Sequence, residues 1–177
     1  MEIHRYERAW LAASLVLIVL FIGTVAYGAL GPSVAMVDAE GGTVDPAALD
    51  DHPRFSDPGV YQTGEDEYAA YVIARRFAFQ PGSTDPIRVP EGSTVTFYIT
   101  SPDVVHGFSL AGTNVNTMVL PGQVTKVTVD FEETGEYGVV CHEYCGEAHH
   151  EMAGTLVVVP SGEFDLPEER DVSGGGS

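Results

Sequence analysis

Residues 9–30, AWLAASLVLIVLFIGTVAYGAL, carry no charged side chain, and this run decides how the rest of the chain can be organised. As a helix it would extend roughly 33 Å, close to the hydrocarbon thickness of a bilayer. A cleaved secretory signal is the competing reading, because the small residues around Ala26 to Ala29 suit a peptidase. The apolar core of a signal is only about 7 to 15 residues, however, so the length favours a membrane-spanning helix. Arg5 and Arg8 precede the run and no Lys or Arg follows before Arg54, which predicts a cytoplasmic N-terminus and an extracytoplasmic remainder. Trp10 and Tyr27 stand where interfacial aromatic anchors are expected.

Residues 1–30 are therefore read as the cytoplasmic N-terminus and transmembrane helix. Residues 31–67 are rich in Gly, Pro, Asp and Ala without a sustained apolar period, and are read as a linker. From Tyr68 the pattern changes. In GSTVTFYIT, Val95, Phe97 and Ile99 alternate with polar residues and Tyr98; in VTKVTVDF, Val127, Val129 and Phe131 alternate with Thr128 and Asp130. Each pattern predicts a strand that buries one face. Turn residues at Gln80-Pro81-Gly82, Pro90-Glu91-Gly92, Pro121-Gly122 and Thr134-Gly135 separate about seven or eight such strands. Residues 68–160 thus read as an all-β, antiparallel sandwich or barrel of Greek-key size. Residues 161–177, acidic and ending SGGGS, read as a disordered tail.

The chain has 26 acidic and 8 basic residues, a net charge of −18. Nucleic-acid binding, which depends on neutralising phosphates, is excluded on that ground. Acidity spread along the outer domain suggests a surface adapted to high salt, as in a halophile. At about 1 M salt the Debye length is roughly 3 Å, so partners would be recognised by short-range contacts.

Against that background, CHEYCGEAHHEM (Cys141–Met152) stands out: it holds both cysteines and three of the six histidines. It lies between two strand-like runs, EYGVV and GTLVVVP, and so reads as a loop at one end of the sandwich. His106, at a strand end in SPDVVHGFSL, is a further donor if the fold brings it alongside. A disulfide between Cys141 and Cys145 would leave His149 and Met152 unexplained. A zinc site of Cys141, Cys145, His149 and His106 would leave Met152 without a role, since zinc sites rarely use thioether. Copper accounts for more of the set. One thiolate, two imidazoles and a weak thioether make a mononuclear blue-copper site, and Cys145, His149, Met152 and His106 supply it. Cys141 is then an additional thiolate that can bridge, so that two sulfurs hold two copper ions. His106 and Met152 would complete one ion, and His149 and the backbone carbonyl of Glu143 the other.

These residues resemble subunit II of the haem-copper oxygen reductases, whose cupredoxin domain carries the binuclear CuA centre. CHEYCGEAHHEM is similar to that family's C-x3-C-x3-H-x2-M loop, and SPDVVHGFSL to the segment that supplies its upstream histidine. The likeness extends over YERAWLAASL, YQTGEDEYAAYVIARRFAFQPG, VPEGSTVTFYITSPDVVHGFSL and LPGQVTKVTVDFEETGEYGVVCHEYCG. With one membrane helix it is closest to the short subunit II of B-type oxidases. The resemblance implies a cupredoxin-like Greek-key sandwich behind one transmembrane helix. It also implies a non-catalytic subunit of cytochrome c oxidase that takes electrons from a soluble donor, cytochrome c or a small blue-copper protein, and passes them to haem in subunit I. Glu7 matches the family's acidic residue at the mouth of a proton-conducting path; a plain flanking charge is its other reading. The Glu143 side chain matches a ligand to magnesium at the subunit I boundary in longer relatives. The tryptophan through which longer relatives receive electrons has no counterpart in the outer domain, where Phe77 and Phe79 are the candidates to replace it. His142 and His150 lie outside the ligand pattern. The rival reading is a membrane-anchored copper electron carrier or copper-binding module working without an oxidase.

Overall fold

The computed structural model describes residues 4–30, 36–38 and 41–165, which fall into two units. In the first, α1 (Arg5–Leu30) spans 26 residues, and among the described residues it is the one helix long and apolar enough to cross a membrane. Leu15, Leu17, Ile18, Val19, Leu20 and Phe21 are all more than half exposed, so no single face is apolar. A helix apolar all round has no stable place in water, and a hydrocarbon surrounding satisfies it. The Thr24 hydroxyl donates to the Leu20 carbonyl at 2.9 Å, which satisfies that donor within the helix. At the start of α1, the Glu7 carboxylate accepts from the His4 N–H at 3.1 Å.

In the second unit the described residues form eleven strands in two sheets. The first sheet runs β1 (Met36–Asp38), β9 (Thr125–Phe131), β6 (Ser93–Thr100), β3 (Glu67–Arg75), β2 (Val60–Gly64), with β4 (Ala78–Gln80) on the other half of the β3 edge. The second runs β5 (Ile87–Pro90), β11 (Ala153–Val159), β10 (Gly135–Val140), β7 (His106–Leu110), β8 (Asn116–Val119). The expected alternation holds. Val95, Phe97, Ile99, Val127 and Phe131 enter the core from the first sheet and meet Phe108, Leu110, Val139, Leu156 and Val158 from the second. Each such side chain contributes about 1.5–3 kcal/mol by leaving water.

Three expectations are corrected. The sandwich is mixed: β3 pairs parallel with β6, and β5 with β11. Alternation reports which face is buried and carries no direction, so this could not be read from the pattern. Residues 31–67 are not a linker throughout, because β1 pairs with β9, β2 pairs with β3, and Leu49 and Phe55 are buried against Ile73 and Val124. This segment covers the outer face of β3, which is therefore buried on both sides and reads YAAYVIA with no clean alternation. Nor does the domain stop at Pro160: Ser161–Glu163 form a 3-10 turn, and Phe164 packs edge-on against Tyr68 with ring centres 5.4 Å apart. Residues 166–177 lie outside the described part.

Turn chemistry places the strands. Gly92, between β5 and β6, has φ +76°, a left-handed conformation that a side chain would strain. The peptide bonds Arg76–Phe77 and Gln80–Pro81 are cis.

Candidate metal centre

Strands β7, β10 and β11 are neighbours in the second sheet, and their ends meet at one edge of the sandwich. There β7 begins at His106, while β10 ends at Val140 and β11 begins at Ala153, directly opposite it. The Cys141–Met152 connection is thereby held beside His106. Its neck is closed by the Cys141 N–H donating to the Met152 carbonyl at 3.3 Å. Its far end is a 3-10 turn, His149–Glu151, in which the Met152 N–H donates to the His149 carbonyl at 3.1 Å. The stretch is a loop, as its flanking strands indicate.

Six donors of the expected set converge. The sulfurs of Cys141 and Cys145 are 3.9 Å apart, both as free thiols and well beyond the about 2.05 Å of a disulfide. His106 Nδ1 lies 3.8 Å from the Cys141 sulfur, and the Glu143 carbonyl oxygen 3.2 Å from it. His149 Nδ1 lies 3.6 Å from the Cys145 sulfur, and Met152 Sδ 3.5 Å from it. Each sulfur thus has one imidazole nitrogen and one weak donor beside it. The ligand atoms of His106, Cys141 and Cys145 all fall within 4.8 Å of one another, a size suited to a metal ion. Cys141, Cys145, Met152 and His106 are at most 4 % exposed, and the sulfurs continue the hydrophobic core.

That burial sets the electrostatics. It pushes the Cys145 thiol up to about 11, and the nearby Cys141 adds to the rise. At neutral pH the thiol of Cys145 is therefore protonated when no cation is present, and binding a soft metal means displacing its proton. Thiolate, imidazole and thioether in a dry pocket fit copper; hard cations, which take oxygen ligands, do not suit it.

A residue outside the expected set orients the upstream ligand. Asp103 Oδ1 lies 2.8 Å from His106 Nε2, so the Nε2–H donates to the carboxylate and the bare Nδ1 faces Cys141. Burial alone would raise the Asp103 carboxyl. Hydrogen bonds from the Arg76 N–H, the His106 ring, the Val104 N–H and the Ser101 hydroxyl outweigh that and hold it below the usual carboxylate range. The signal was present in SPDVVH as a carboxylate three residues before the ligand, a spacing that lets a turn fold it back. The Gly107 N–H, 3.5 Å from the Cys141 sulfur, is a second contact that side-chain chemistry could not announce.

The other expected residues are distributed as follows. His142 and His150 are exposed: the ring of His142 covers Gly107, and His150 lies 3.7 Å from Glu151. The Glu143 side chain is half-buried, and Glu7 is in the first turn of α1. Phe77 is half-buried against Gly146 of the ligand loop. Phe79, by contrast, is 2 % exposed and packs edge-on against Phe108, so it cannot meet a partner at the surface, and that expectation is withdrawn.

The sandwich and its thiol, imidazole and thioether pocket define a cupredoxin-like domain with a group of side chains at one end that could hold a metal ion. Residues 74–159 match the family described as cytochrome c oxidase subunit II, periplasmic domain. The chain is 43% identical over 156 residues to cytochrome c oxidase subunit 2 of Thermus thermophilus, covering 86% of this chain and 91% of that protein. A second Thermus thermophilus subunit 2 is 47% identical over 117 residues, 65% of this chain and 84% of that one. Among solved structures, a chain of a heme-copper terminal oxidase dimer aligns with TM-score 0.65 and 34% identity, covering 88% of this chain and all of that one. The periplasmic domain of subunit II from Bradyrhizobium japonicum, at 19% identity and TM-score 0.50, shares the fold over 54% of this chain and 86% of its own. The chain belongs to the cytochrome c oxidase subunit II family, and is a membrane-anchored subunit II with an apolar N-terminal helix and a periplasmic domain.

Proposed function

We propose that this chain is the electron-accepting, non-catalytic subunit of a haem-copper terminal oxidase, receiving electrons from a soluble carrier and passing them to haem in subunit I for dioxygen reduction. The observation that carries the reading is the pair of buried free sulfurs 3.9 Å apart, each with an imidazole nitrogen within 3.8 Å. The residues that would hold a binuclear CuA centre are His106, Cys141, the carbonyl of Glu143, Cys145, His149 and Met152. Copper held by these residues would supply a one-electron redox centre, and spreading the charge over two ions would keep the change in bond lengths on reduction small.

The chain supplies the rest. Asp103 fixes the rotation of His106, the Gly107 N–H meets the Cys141 sulfur, and the Cys141–Met152 backbone bond closes the loop. A set of donors already locked in place reorganises little when its charge changes, which is the requirement of a redox relay. Met152, Cys145 and His106 also exclude water from the sulfurs. Orientation follows the same reading, with the N-terminus cytoplasmic and α1 in lipid. Glu7 is assigned to the mouth of a proton path, Phe77 to the place where electrons arrive, and the half-buried Glu143 carboxylate to a magnesium ion at the subunit I boundary.

Copper counting with electron paramagnetic resonance on the purified protein tests this. Two coppers per chain with a seven-line hyperfine pattern, and copurification with a multi-helix haem protein, are the expected results. One copper with four lines, or zinc, would overturn the binuclear centre. A binuclear centre that never copurifies with haem would instead mark a free carrier.

A further inference from the structure

Basic side chains are scarce in this chain, 8 against 26 acidic, yet two of them adjoin each other beside the metal centre. Arg75 ends β3 and Arg76 opens the turn to β4; both are exposed, and neither makes an ion pair among the described residues. Two neighbouring exposed guanidiniums that pair with none of the described carboxylates can meet a carboxylate from elsewhere.

Their turn touches both segments that carry the ligands. The Arg76 N–H donates to Asp103 Oδ2 at 2.8 Å, and the other oxygen of that carboxylate accepts from His106 at 2.8 Å. On the other side the Phe77 ring packs on Gly146, so closely that a Cβ added there would lie 3.0 Å from it. The backbone of Arg76 is therefore two hydrogen bonds and one side chain, Asp103, away from the His106 imidazole.

We infer that Arg75 and Arg76 are the docking contact for the soluble electron donor, and that the donor meets them with surface carboxylates; the inference rests on the reading of the centre as an electron acceptor. The net charge of −18 taken alone would suggest a basic donor. Long-range attraction, however, fades beyond about 8 Å at physiological salt and about 3 Å at 1 M, and the overall repulsion between two acidic proteins is screened equally. A guanidinium–carboxylate contact is short-range, bidentate and charge-assisted, and so survives where steering does not. The partner is thus an acidic one-electron carrier. On contact one electron leaves the reduced donor and enters the oxidised centre, with no bond made or broken and no proton moved. The Arg76 N–H, Asp103 and His106 provide a bonded route from the docking turn.

The test uses the intact oxidase with R75E/R76E and R75Q/R76Q, and follows oxidation of two probes by stopped flow: a small acidic blue-copper protein and a basic c-type cytochrome. The second-order rate with the acidic probe is expected to fall roughly tenfold or more in the reversal variant and less in the glutamine variant. The rate with the basic probe should hold or rise, and the copper resonance and haem content should stay at wild-type values. Unchanged rates with the acidic probe, an equal fall with both probes, or a wild-type preference for the basic cytochrome would overturn the docking assignment. Loss of the haem subunit from the variant would overturn it as well, by placing the arginines in the subunit boundary. A wild-type enzyme without the binuclear resonance would instead remove the reading of the centre, independently of the arginines.

Discussion

Asp103 accepts from the Nε2–H of His106 at 2.8 Å and so fixes which nitrogen of that imidazole faces the sulfurs. Removing the carboxylate with Asp103→Ala frees the ring to rotate and to exchange tautomers. Copper affinity should fall about 10–100-fold, as for other partners of metal-bound histidines. Asp103→Asn, which keeps one carbonyl acceptor for the four donors that meet the carboxylate, should fall between. Competitive titration with a copper chelator measures both, and an affinity equal to wild type in Asp103→Ala would show that packing alone holds the ring.

In the proposed centre both Cys141 and Cys145 bridge the metal ions. Substituting Cys141 with serine leaves Cys145, His149, Met152 and His106, the donor set of a mononuclear blue-copper site. Copper content should drop from two to one per chain and the hyperfine pattern from seven lines to four. Retention of the binuclear resonance would exclude Cys141 as a bridge.

Gly146 has φ +135°, and a Cβ there would lie only 3.0 Å from the Phe77 ring. Gly146→Ala should destabilise the domain by about 1–3 kcal/mol through backbone strain. Because the residue follows Cys145 directly, the copper resonance should broaden or shift as well. Denaturant unfolding and the resonance together check this, and a change in neither would sink it.

Phe55 is 1 % exposed in the segment that covers the outer face of the first sheet. Phe55→Ala should cost about 3–5 kcal/mol of stability and leave the copper resonance unaltered in whatever fraction remains folded. A small loss, within the range of surface substitutions, would return that segment to the status of a linker.

Phe55 and Asp103 also mark where the sequence stops being readable. Val95, Phe97 and Ile99 declare a strand because one-sided burial imposes a period of two, and the cluster from Cys141 to Met152 declares a metal because its donors are contiguous and soft. His106 was found through a strand-end position and a family likeness. Phe55 sits among Pro, Asp and Ser with no period, because it is buried by draping over a sheet, not by belonging to one. Asp103 looked like one acidic residue among many in a chain of 26; what distinguishes it is a ring nitrogen 2.8 Å away, a fact of the folded state. Phe77 and Phe79 alternate identically in sequence, yet one lies against the ligand loop and the other beneath Phe108.

All the donors come from β7 and from the connection between β10 and β11, three adjacent strands of one sheet. The other sheet contributes apolar side chains to the shared interior and nothing to the donor set. Away from Arg75 and Arg76, the surface charge of that sheet and of the segment covering it is therefore separable from the geometry of the pocket, so the acidity of the domain can be altered without touching a ligand.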